Sequence, residues 1–578
     1  MIVTMDDDVA VPMRDGVRLA TTVWRPAGTG VFPVLLVRTP YGKDDMGLYG
    51  NTKAPDVLAL LRAGYAVAAQ DVRGTSRSPG EFVPHAAEAD DGVDTIAWLA
   101  AQPWCDGRIG TWGGSYQGMA QWHAAAAAPP ALRAIAPLLA SADPYRAPWY
   151  SPGGALSLDT FLTWANRVAL TAARRTSPAD GDQVKQLMST LVDRSALLDR
   201  LPVADHPLLR ELLPWAADVL DHPTRDEWWR ASSPAEHYGG ITAPALNIGG
   251  WYDPFLAGTI HSYVGVRRHG GSAEARDGQR LVIGPWGHAD GADLGEFPDR
   301  SFGPAGSVKA ANLTEAHLRF FDRWVRGRQD AVDDSTPVRI FVMGIDRWRD
   351  EPDWPLPDTR HVDYFLSSGG RAGTSGTDGA LLTTVPDDNN RDTFRHDPLD
   401  PVPTLGGPVI AGPGGWAGPA DQRAVRDRPD VLCFTTPVLV APIEVTGHVR
   451  LVLHVSSSAA DTDFTGKLVD VHPDGRVILL CEGIQRVRYR NGPGEAAPLR
   501  PDEPVEVVVD LCATSNVFLP GHRIGLEVAS SNFPRYDRNT GTGGAVALDG
   551  EADVVVAHNT VHHGRSRPSR LVLPVVDR

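Results

Sequence analysis

The hydrophobic pattern of the first 143 residues limits the possible folds more than any other feature of this sequence. Short apolar runs at 34–37, 66–69 and 109–112 lack the polar alternation of a half-exposed strand, and a loop rich in glycine or proline follows each one. Such runs are typical of strands buried on both faces of a parallel sheet. Helical stretches such as 86–101 separate them, so the sequence predicts an α/β domain.

The same pattern returns at 245–248 and 281–283, after a stretch of different character. Residues 144–238 are rich in tryptophan, proline and helical periodicity, which favours a helical cap inserted into the α/β domain. We therefore assign 1–143 and 239–346 to one α/β-hydrolase domain and 144–238 to its cap.

From about residue 347 the hydrophobic period changes to two. Between 443 and 455 apolar and polar residues alternate almost strictly, which is typical of a strand with one buried face. Comparable segments recur at 467–471, 477–481, 505–511, 524–529 and 553–557. The sequence predicts a jelly-roll β-sandwich over 347–578.

Length and charge set the broad class of protein. A chain of 578 residues is too long for one core, so several domains are expected. Its 71 acidic and 55 basic residues give a net charge of −16 without any basic run. This balance argues against nucleic acid as a partner, because a phosphate-binding surface needs clustered positive charge.

Cysteine use and the length of apolar runs point to a cellular location. The four cysteines lack the close spacings of a disulfide framework or a metal site, which favours a reducing compartment. The acidic start of the chain does not resemble a signal peptide, and no apolar run reaches the length of about 18 residues that suggests a membrane span. We expect a cytoplasmic protein that does not bind membranes.

One segment has the pattern of a nucleophile elbow. Ser115 directly follows the apolar run 109–112 with its glycines and precedes an alanine-rich helix. In the G-x-S-x-G elbow, small neighbours are needed because the serine lies in a strained turn between strand and helix. Gly113 supplies the first small position, but Gln117 occupies the second and the glycine comes one residue later, at Gly118. A glycine-rich turn with a serine N-cap is the alternative.

A serine nucleophile needs a base and an orienting acid, and in this type of fold they follow in the order Ser, Asp or Glu, His. Asp253 comes just after the predicted strand 245–248, and His288 just after 281–283. Both therefore lie at the carboxyl ends of strands, where the sites of open parallel sheets collect. Asp143 is a second candidate for the acid, and Asp253 could instead cap the next helix.

The sequence predicts neither a cofactor nor a metal site. His448 and His454 lie on the polar face of a predicted strand with Arg450 between them, which favours solvated side chains. The segment 73–78 lacks the lysine of a phosphate-binding loop.

Taken together, these motifs resemble the bacterial cocaine esterase and X-Pro dipeptidyl-peptidase-like serine hydrolases over essentially the whole chain. In this family the elbow reads G-x-S-Y-x-G, which Gly113, Ser115, Tyr116 and Gly118 fit. The matching segments are 11–17, 38–41, 70–74, 113–118, 250–253, 284–288 and 530–535.

The resemblance implies roles that spacing does not reveal. It makes the phenol of Tyr41 and the backbone N–H of Tyr116 the donors of an oxyanion hole, beside a triad of Ser115, His288 and Asp253. It also implies an aryl acyl pocket, with an aromatic residue of the family replaced by Ala411. The pocket residues are Trp149, Trp164, Phe255, Ile410 and Ala411. Without the resemblance, the aromatic residues would be read as core residues.

We therefore expect a serine carboxylesterase that hydrolyses small-molecule esters, including aryl esters, through an acyl-enzyme, with a homodimer as the hypothesis for its oligomeric state. An X-Pro dipeptidyl-peptidase or α-amino-acid ester hydrolase is the alternative within the fold. Such an enzyme must neutralise a substrate ammonium, and the cap offers Asp159 and Asp180 but no acidic cluster near its aromatic segment. A noncatalytic binding protein is the third hypothesis.

Overall fold

The computed structural model describes residues 2–44, 53–176, 181–288, 293–328, 336–373, 378–410 and 417–578. Of the residues named above, Ala411 and Asp180 lie outside these ranges. Within them the strands form two sheets, one of ten strands and one of eleven.

The first sheet is largely parallel. Its strands are β1 (Val3–Pro12), β2 (Arg18–Pro26), β3 (Phe32–Thr39), β4 (Ala66–Asp71), β5 (Cys105–Gly114), β6 (Leu132–Leu138), β7 (Leu246–Tyr252), β8 (Arg280–Gly287), β9 (Val338–Val342) and β10 (Arg347–Glu351). They are ordered β1-β2-β4-β3-β5-β6-β7-β8-β9-β10. Neighbours from β4 to β9 are parallel, whereas β1, β2 and β10 pair in antiparallel fashion at the two edges. The predicted runs coincide with β3, β4, β5, β7 and β8.

Helices cover both faces of this sheet, which explains why its central strands are apolar throughout. Along β3, Val34 and Leu36 pack in one apolar cluster with Trp122, while Leu35 and Val37 pack in another with Phe321. Since successive side chains of a strand point to opposite faces, both faces of β3 are buried.

The helices divide between the sheet and the insert. They are α1 (Val57–Arg62), α2 (Glu88–Ala100), α3 (Tyr116–Ala126), α4 (Leu158–Thr176), α5 (Asp182–Val192), α6 (Ser195–Leu198), α7 (Pro214–Asp221), α8 (Glu227–Ala231), α9 (Leu256–His269), α10 (Ala273–Asp277), α11 (Val308–Ala311), α12 (Leu313–Trp324) and α13 (Arg423–Arg426). Helices α4 to α8 all lie between β6 and β7. They fall within residues 144–238, the range predicted as a cap, and this range keeps that name. None of the helices in the described ranges has both the length and the apolar character needed to cross a membrane.

The second sheet makes the C-terminal part of the chain mostly β. Its strands are β11 (Thr359–Ser367), β12 (Ala380–Leu382), β13 (Asn390–His396), β14 (Leu432–Thr435), β15 (Ile443–Ser457), β16 (Asp463–Val471), β17 (Val477–Arg486), β18 (Val505–Phe518), β19 (Arg523–Ala529), β20 (Ala557–His563) and β21 (Arg570–Val576). In β15, Leu451 and Leu453 are fully buried while His448 and Arg450 are exposed, as the alternating pattern predicts.

Two boundaries that were predicted from the sequence differ from those in the structure. Strand β10 pairs with β9 in the first sheet, so that sheet continues to Glu351, past the predicted limit at 346. The strand predicted at 553–557 is wrong, because β20 begins only at Ala557. The apolar side chains of Val555 and Val556 are more than one-third exposed, so this run is not in the core.

The two sheets share a continuous apolar core. Trp251, Tyr252 and Phe341 of the first sheet belong to the same buried cluster as Leu451 and Leu526 of the second. The C-terminal part that carries the second sheet, residues 359–576, is called the β domain. It packs directly against residues of β7, the strand that leads to Asp253.

Candidate active site

Ser115 occupies a strained turn between β5 and α3. Its backbone has φ 60° and ψ −129°, a conformation that costs energy in a residue other than glycine. Gly113 has φ 130°, and a Cβ placed on it would lie 2.7 Å from Cβ of Gln117. A Cβ placed on Gly118 would lie 2.4 Å from Cβ of Ala140. Glycine is therefore needed at 113 and 118, which explains the late glycine of the elbow.

The structure brings Ser115, His288 and Asp253 together. His288 follows β8, and its Nε2 lies 3.1 Å from Oγ of Ser115. Its Nδ1 lies 2.6 Å from Oδ1 of Asp253, whose side chain is fully buried. A proton on Nδ1 is thus donated to Asp253, and Nε2 is left to accept the hydroxyl proton of Ser115.

The sequence left two alternatives: Asp143 as the acid, and a helix-capping role for Asp253. Oδ2 of Asp143 lies 3.0 Å from Nη2 of Arg225, so Asp143 is engaged in another ion pair. Asp253 does make the turn contact considered for it, because its Oδ2 accepts the N–H of Phe255 at 3.2 Å. That contact uses the oxygen that does not face His288, so the two roles are compatible.

Tyr41 lies in the loop after β3, and its phenol is oriented by the cap. Its Oη accepts a hydrogen bond from Nε1 of Trp164 at 3.0 Å. Because the indole can only donate, the hydroxyl hydrogen of Tyr41 remains available for another acceptor. Tyr116 is the first residue of α3, and its N–H is one of those that a helix start leaves without an intrahelical partner. The two expected oxyanion donors are thus both chemically available.

Gln117, which broke the generic elbow pattern, links the two halves of this site. Its Oε1 accepts the N–H of Gly114 at 3.1 Å, and its Nε2 donates to Oγ1 of Thr39 at 3.1 Å. The same Oγ1 accepts the backbone N–H of Tyr41 at 3.1 Å. Sequence analysis missed this role, although the unexpected side chain inside the elbow was the signal for it.

A buried polar network holds the ring of Tyr116. Its Oη donates to Oε1 of Glu88 at 2.9 Å and accepts the backbone N–H of His85 at 3.0 Å. Glu88 in turn lies 2.7 Å from Nη1 of Arg38, and both side chains are about 5% exposed or less. Burial raises the pKa of Tyr116 well above its usual value, and the charge of Glu88 adds to the effect. The phenol therefore stays protonated and anchors the residue that follows Ser115.

Two histidines extend the network that begins at the hydroxyl of Tyr116. Nδ1 of His85 lies 3.1 Å from Nε2 of His123, and both rings are buried. Burial lowers the pKa of both, that of His123 to about 4, so the pair is neutral at physiological pH. Arg38 and Glu88 were not singled out from the sequence, although Arg38 opens the segment 38–41 that carries Tyr41.

The predicted pocket aromatics fall into two groups. The ring of Trp164 lies 5.1 Å from that of Trp149 and stacks on Tyr116 at 5.7 Å. Phe255 instead stacks on the imidazole of His288 at 5.2 Å, in a separate apolar cluster that includes Met119. Trp164 thus contacts both tyrosines of the expected oxyanion hole, Trp149 packs on Trp164, and Phe255 contacts His288.

A segment of the β domain borders the cap near the predicted pocket. Ile410 is buried at 4% exposure, and its neighbour Val409 lines a cavity of about 490 Å³ together with Asp159 and Arg194 of the cap. Ala411 lies outside the described residues, so the replacement of a pocket aromatic by Ala411 stays a prediction. Phe82 and Trp215 also contact the ring of Trp164 and were not predicted.

Comparisons with known proteins agree with this architecture. Residues 15–290 match the family description "X-Pro dipeptidyl-peptidase (S15 family)", and residues 330–572 match "X-Pro dipeptidyl-peptidase C-terminal non-catalytic domain". Cocaine esterase from Rhodococcus sp. (strain MB1 Bresler) is 48% identical over 575 residues, which cover 99% of this chain and 98% of that protein.

Two solved structures are similar over nearly their whole length. An aminopeptidase from a marine sediment Thaumarchaeota archaeon superposes with a TM-score of 0.83 at 26% identity, covering 100% of this chain and 97% of that one. An α-amino acid ester hydrolase superposes with a TM-score of 0.84 at 26% identity, covering 99% of this chain and 96% of that one.

The fold, the matches and the nature of the relatives define the class: this protein is a serine hydrolase. It belongs to the family of cocaine esterase and the X-Pro dipeptidyl-peptidases, which confirms the resemblance seen in the sequence motifs.

Proposed function

We propose that the chain is a serine carboxylesterase in which Ser115 is the nucleophile, His288 the general base and Asp253 the residue that orients it. The observation that carries this proposal is the hydrogen-bonded series from Ser115 through His288 to Asp253 at the elbow. The 48% identity to cocaine esterase supports ester hydrolysis as the reaction.

The geometry supports a two-step reaction through an acyl-enzyme. Oγ of Ser115 attacks the ester carbonyl carbon as its proton passes to Nε2 of His288, and the buried carboxylate of Asp253 stabilises the imidazolium. The hydroxyl of Tyr41 and the N–H of Tyr116 donate to the oxyanion. When the tetrahedral intermediate collapses, the alcohol leaves with the proton from His288.

Deacylation repeats these steps with water. His288 takes a proton from a water molecule that attacks the acyl carbon, a second tetrahedral intermediate forms, and the proton returns to Oγ of Ser115 as the carboxylic acid leaves. The enzyme is restored without any cofactor.

The alternative substrates are peptides or esters that carry a free ammonium group, and the similarity to an aminopeptidase and an α-amino acid ester hydrolase supports them. An enzyme of that class needs a carboxylate whose charge is free for the substrate ammonium. Asp159 is 2% exposed and forms an ion pair with Arg194, so its negative charge is already compensated. Of the two cap carboxylates considered from the sequence, Asp180 lies outside the described residues. The pairing of Asp159 with Arg194 therefore favours substrates without an ammonium group.

We further propose that the acyl group binds beside Trp149 and Trp164. These rings, with Tyr116, provide an apolar wall next to the hydroxyl of Tyr41, which suits a benzoyl group.

The remaining predictions about the whole chain become proposals here. We propose an α/β-hydrolase fold for the first sheet and its helices, a cap at 144–238 and a jelly roll in the C-terminal part. The four thiols at Cys105, Cys433, Cys481 and Cys512 are free, which supports a cytoplasmic location because reducing compartments preserve free thiols. A homodimer stays a prediction for size-exclusion chromatography with light scattering.

Substrate profiling with a nucleophile variant tests the proposed function. The wild type should hydrolyse p-nitrophenyl acetate and benzoate, and Ser115→Ala should lose this activity and its labelling by a fluorophosphonate. Activity on Ala-Pro-p-nitroanilide that exceeds ester hydrolysis would favour the dipeptidyl-peptidase alternative. Labelling of Ser115→Ala at wild-type rate would overturn the assignment of the nucleophile.

A further inference from the structure

A cluster of metal-ligating side chains lies in the β domain, away from Ser115. Asp470, His472 and His522 each offer one ligand atom, and these three atoms lie within 4.8 Å of one another. Oδ1 of Asp470 is 2.8 Å from Nδ1 of His522, and Oδ2 is 3.7 Å from Nε2 of His472. Among the described residues this is the one group of its kind.

Sheet pairing explains why residues so far apart in sequence meet. Asp470 is near the end of β16 and pairs with Ile524 of β19 and Ile478 of β17. His472 follows β16, and His522 directly precedes β19. All three side chains therefore project from the same end of the second sheet, fixed by two neighbouring strands.

The cluster borders a space large enough for a metal ion with an additional ligand. A cavity of about 280 Å³ is lined by Asp470, His472 and His522 together with Tyr252 and Arg300. The side chains of His472 and His522 are 17% and 12% exposed, so ions can enter from solvent.

The surrounding charges leave the cluster suited to a cation. Arg300 pairs with Asp346 at 2.6 Å, and Arg476 pairs with Asp474 at 2.8 Å. These two guanidinium groups are therefore each balanced by a carboxylate, and the charge of Asp470 remains to offset a metal.

We propose that Asp470, His472 and His522 form a binding site for a divalent transition metal of the Zn²⁺ type. Two imidazole nitrogens and one carboxylate oxygen are ligands that Zn²⁺ binds in a tetrahedral arrangement, at about 2.0–2.2 Å. Ligand atoms of a tetrahedral site lie about 3.4 Å apart, and the present separations, all within 4.8 Å, reach that spacing by small side-chain rotations. The fourth position faces the cavity and is open to water or an anionic ligand.

Titration of the whole chain of 578 residues with metal tests this site. After chelator treatment and buffer exchange, isothermal titration calorimetry with ZnCl₂ should give about one equivalent bound at this site in the wild type. His472→Gln and His522→Gln should weaken that binding about tenfold or more, because each removes one of three protein ligands. His361→Gln, at an exposed histidine of the same domain, is the matched control and should bind like the wild type.

A second measurement separates loss of the site from loss of the fold. Circular dichroism shows whether each variant is folded. Co²⁺ should give the visible absorption of a four-coordinate site in the wild type and in His361→Gln, but not in His472→Gln or His522→Gln. A crystal soaked in ZnCl₂ and measured at the zinc edge should show an anomalous peak between His472 and His522. Equal Zn²⁺ binding in folded His472→Gln, or an absent or displaced anomalous peak, would overturn the proposal.

Discussion

At the scale of single residues, the chemistry proposed for Tyr41 depends on a partner far along the chain. A tyrosine hydroxyl can donate one hydrogen bond and accept others. Trp164 of the cap occupies an acceptor position of Tyr41, which leaves its donor free. An indole 123 positions away therefore orients this phenol without using its donor.

We predict that Tyr41→Phe lowers kcat about 10²–10³-fold with little change in KM, because the lost hydrogen bond acts mainly in the transition state. Steady-state kinetics on p-nitrophenyl acetate measure the effect. Tyr364→Phe, the same change at a buried tyrosine of the β domain, should leave kcat unchanged. Turnover of Tyr41→Phe near the wild-type rate would mean that Tyr41 only positions Trp164.

The second residue-scale prediction concerns acyl selectivity. Trp164→Ala removes a ring beside the proposed acyl site and should reduce the ratio of kcat/KM for benzoyl over butyryl esters by about 10- to 200-fold. Taking the ratio cancels any loss through Tyr41, because both esters use the same oxyanion donors. Trp228→Ala, at a cap tryptophan that is 38% exposed, is the control. A ratio within twofold of wild type would make Trp164 a packing residue.

At the scale of elements, the close contact between α3 and the segment after β6 fixes the elbow. Gly118 of α3 faces Ala140, which follows β6. Alanine is normally the better helix residue by about 1 kcal/mol. Here the contact of 2.4 Å that its Cβ would make outweighs that preference, since neither side is a flexible chain end.

We predict that Gly118→Ala lowers the free energy of unfolding by about 1–3 kcal/mol and reduces esterase activity through displacement of Ser115. Urea denaturation and ester kinetics measure the two effects. Gly494→Ala, at an exposed glycine with no heavy atom within 4 Å of the added Cβ, should change neither. Adding Ala140→Gly should restore part of the lost stability, because it removes the shortest of the contacts. No recovery at all would exclude the contact with Ala140 as the cause.

At the scale of the whole molecule, buried charges join the cap to the β domain. Asp537 accepts the N–H of Leu156 in the cap at 3.1 Å and pairs with Arg486 of β17 at 2.8 Å. Arg486 also pairs with Asp463, and all three charged side chains are nearly inaccessible to solvent. Removing one carboxylate therefore leaves a buried guanidinium only partly compensated.

We predict that Asp537→Ala lowers the free energy of unfolding by about 3–5 kcal/mol and raises KM, because the cap loses its attachment near Leu156. Asp387→Ala, which breaks the exposed pair with Arg565, should have little effect on either quantity. Urea denaturation measures the free energy of unfolding, and ester kinetics measure KM. Equal values for Asp537→Ala and Asp387→Ala would contradict the prediction.

Much of the fold followed from local patterns. The apolar runs predicted strands buried on both faces, and β3 has that environment because helices pack on either side. The alternation at 443–455 predicted a strand with one buried face, and β15 alternates in this way from His448 to Leu451. The error at 553–557 arose because an apolar run need not be buried, and Val555 and Val556 are exposed.

The sequence by itself determined the candidates for the proposed chemistry, because the ends of parallel strands meet at one edge and place Ser115, Asp253 and His288 there. The tertiary structure alone decided their partners. That His288 contacts Asp253 rather than Asp143, that Trp164 orients Tyr41, and that Asp470 meets His522 all depend on loop paths and strand pairing. Local hydrophobic patterns record burial, whereas contacts between distant side chains depend on how whole elements pack.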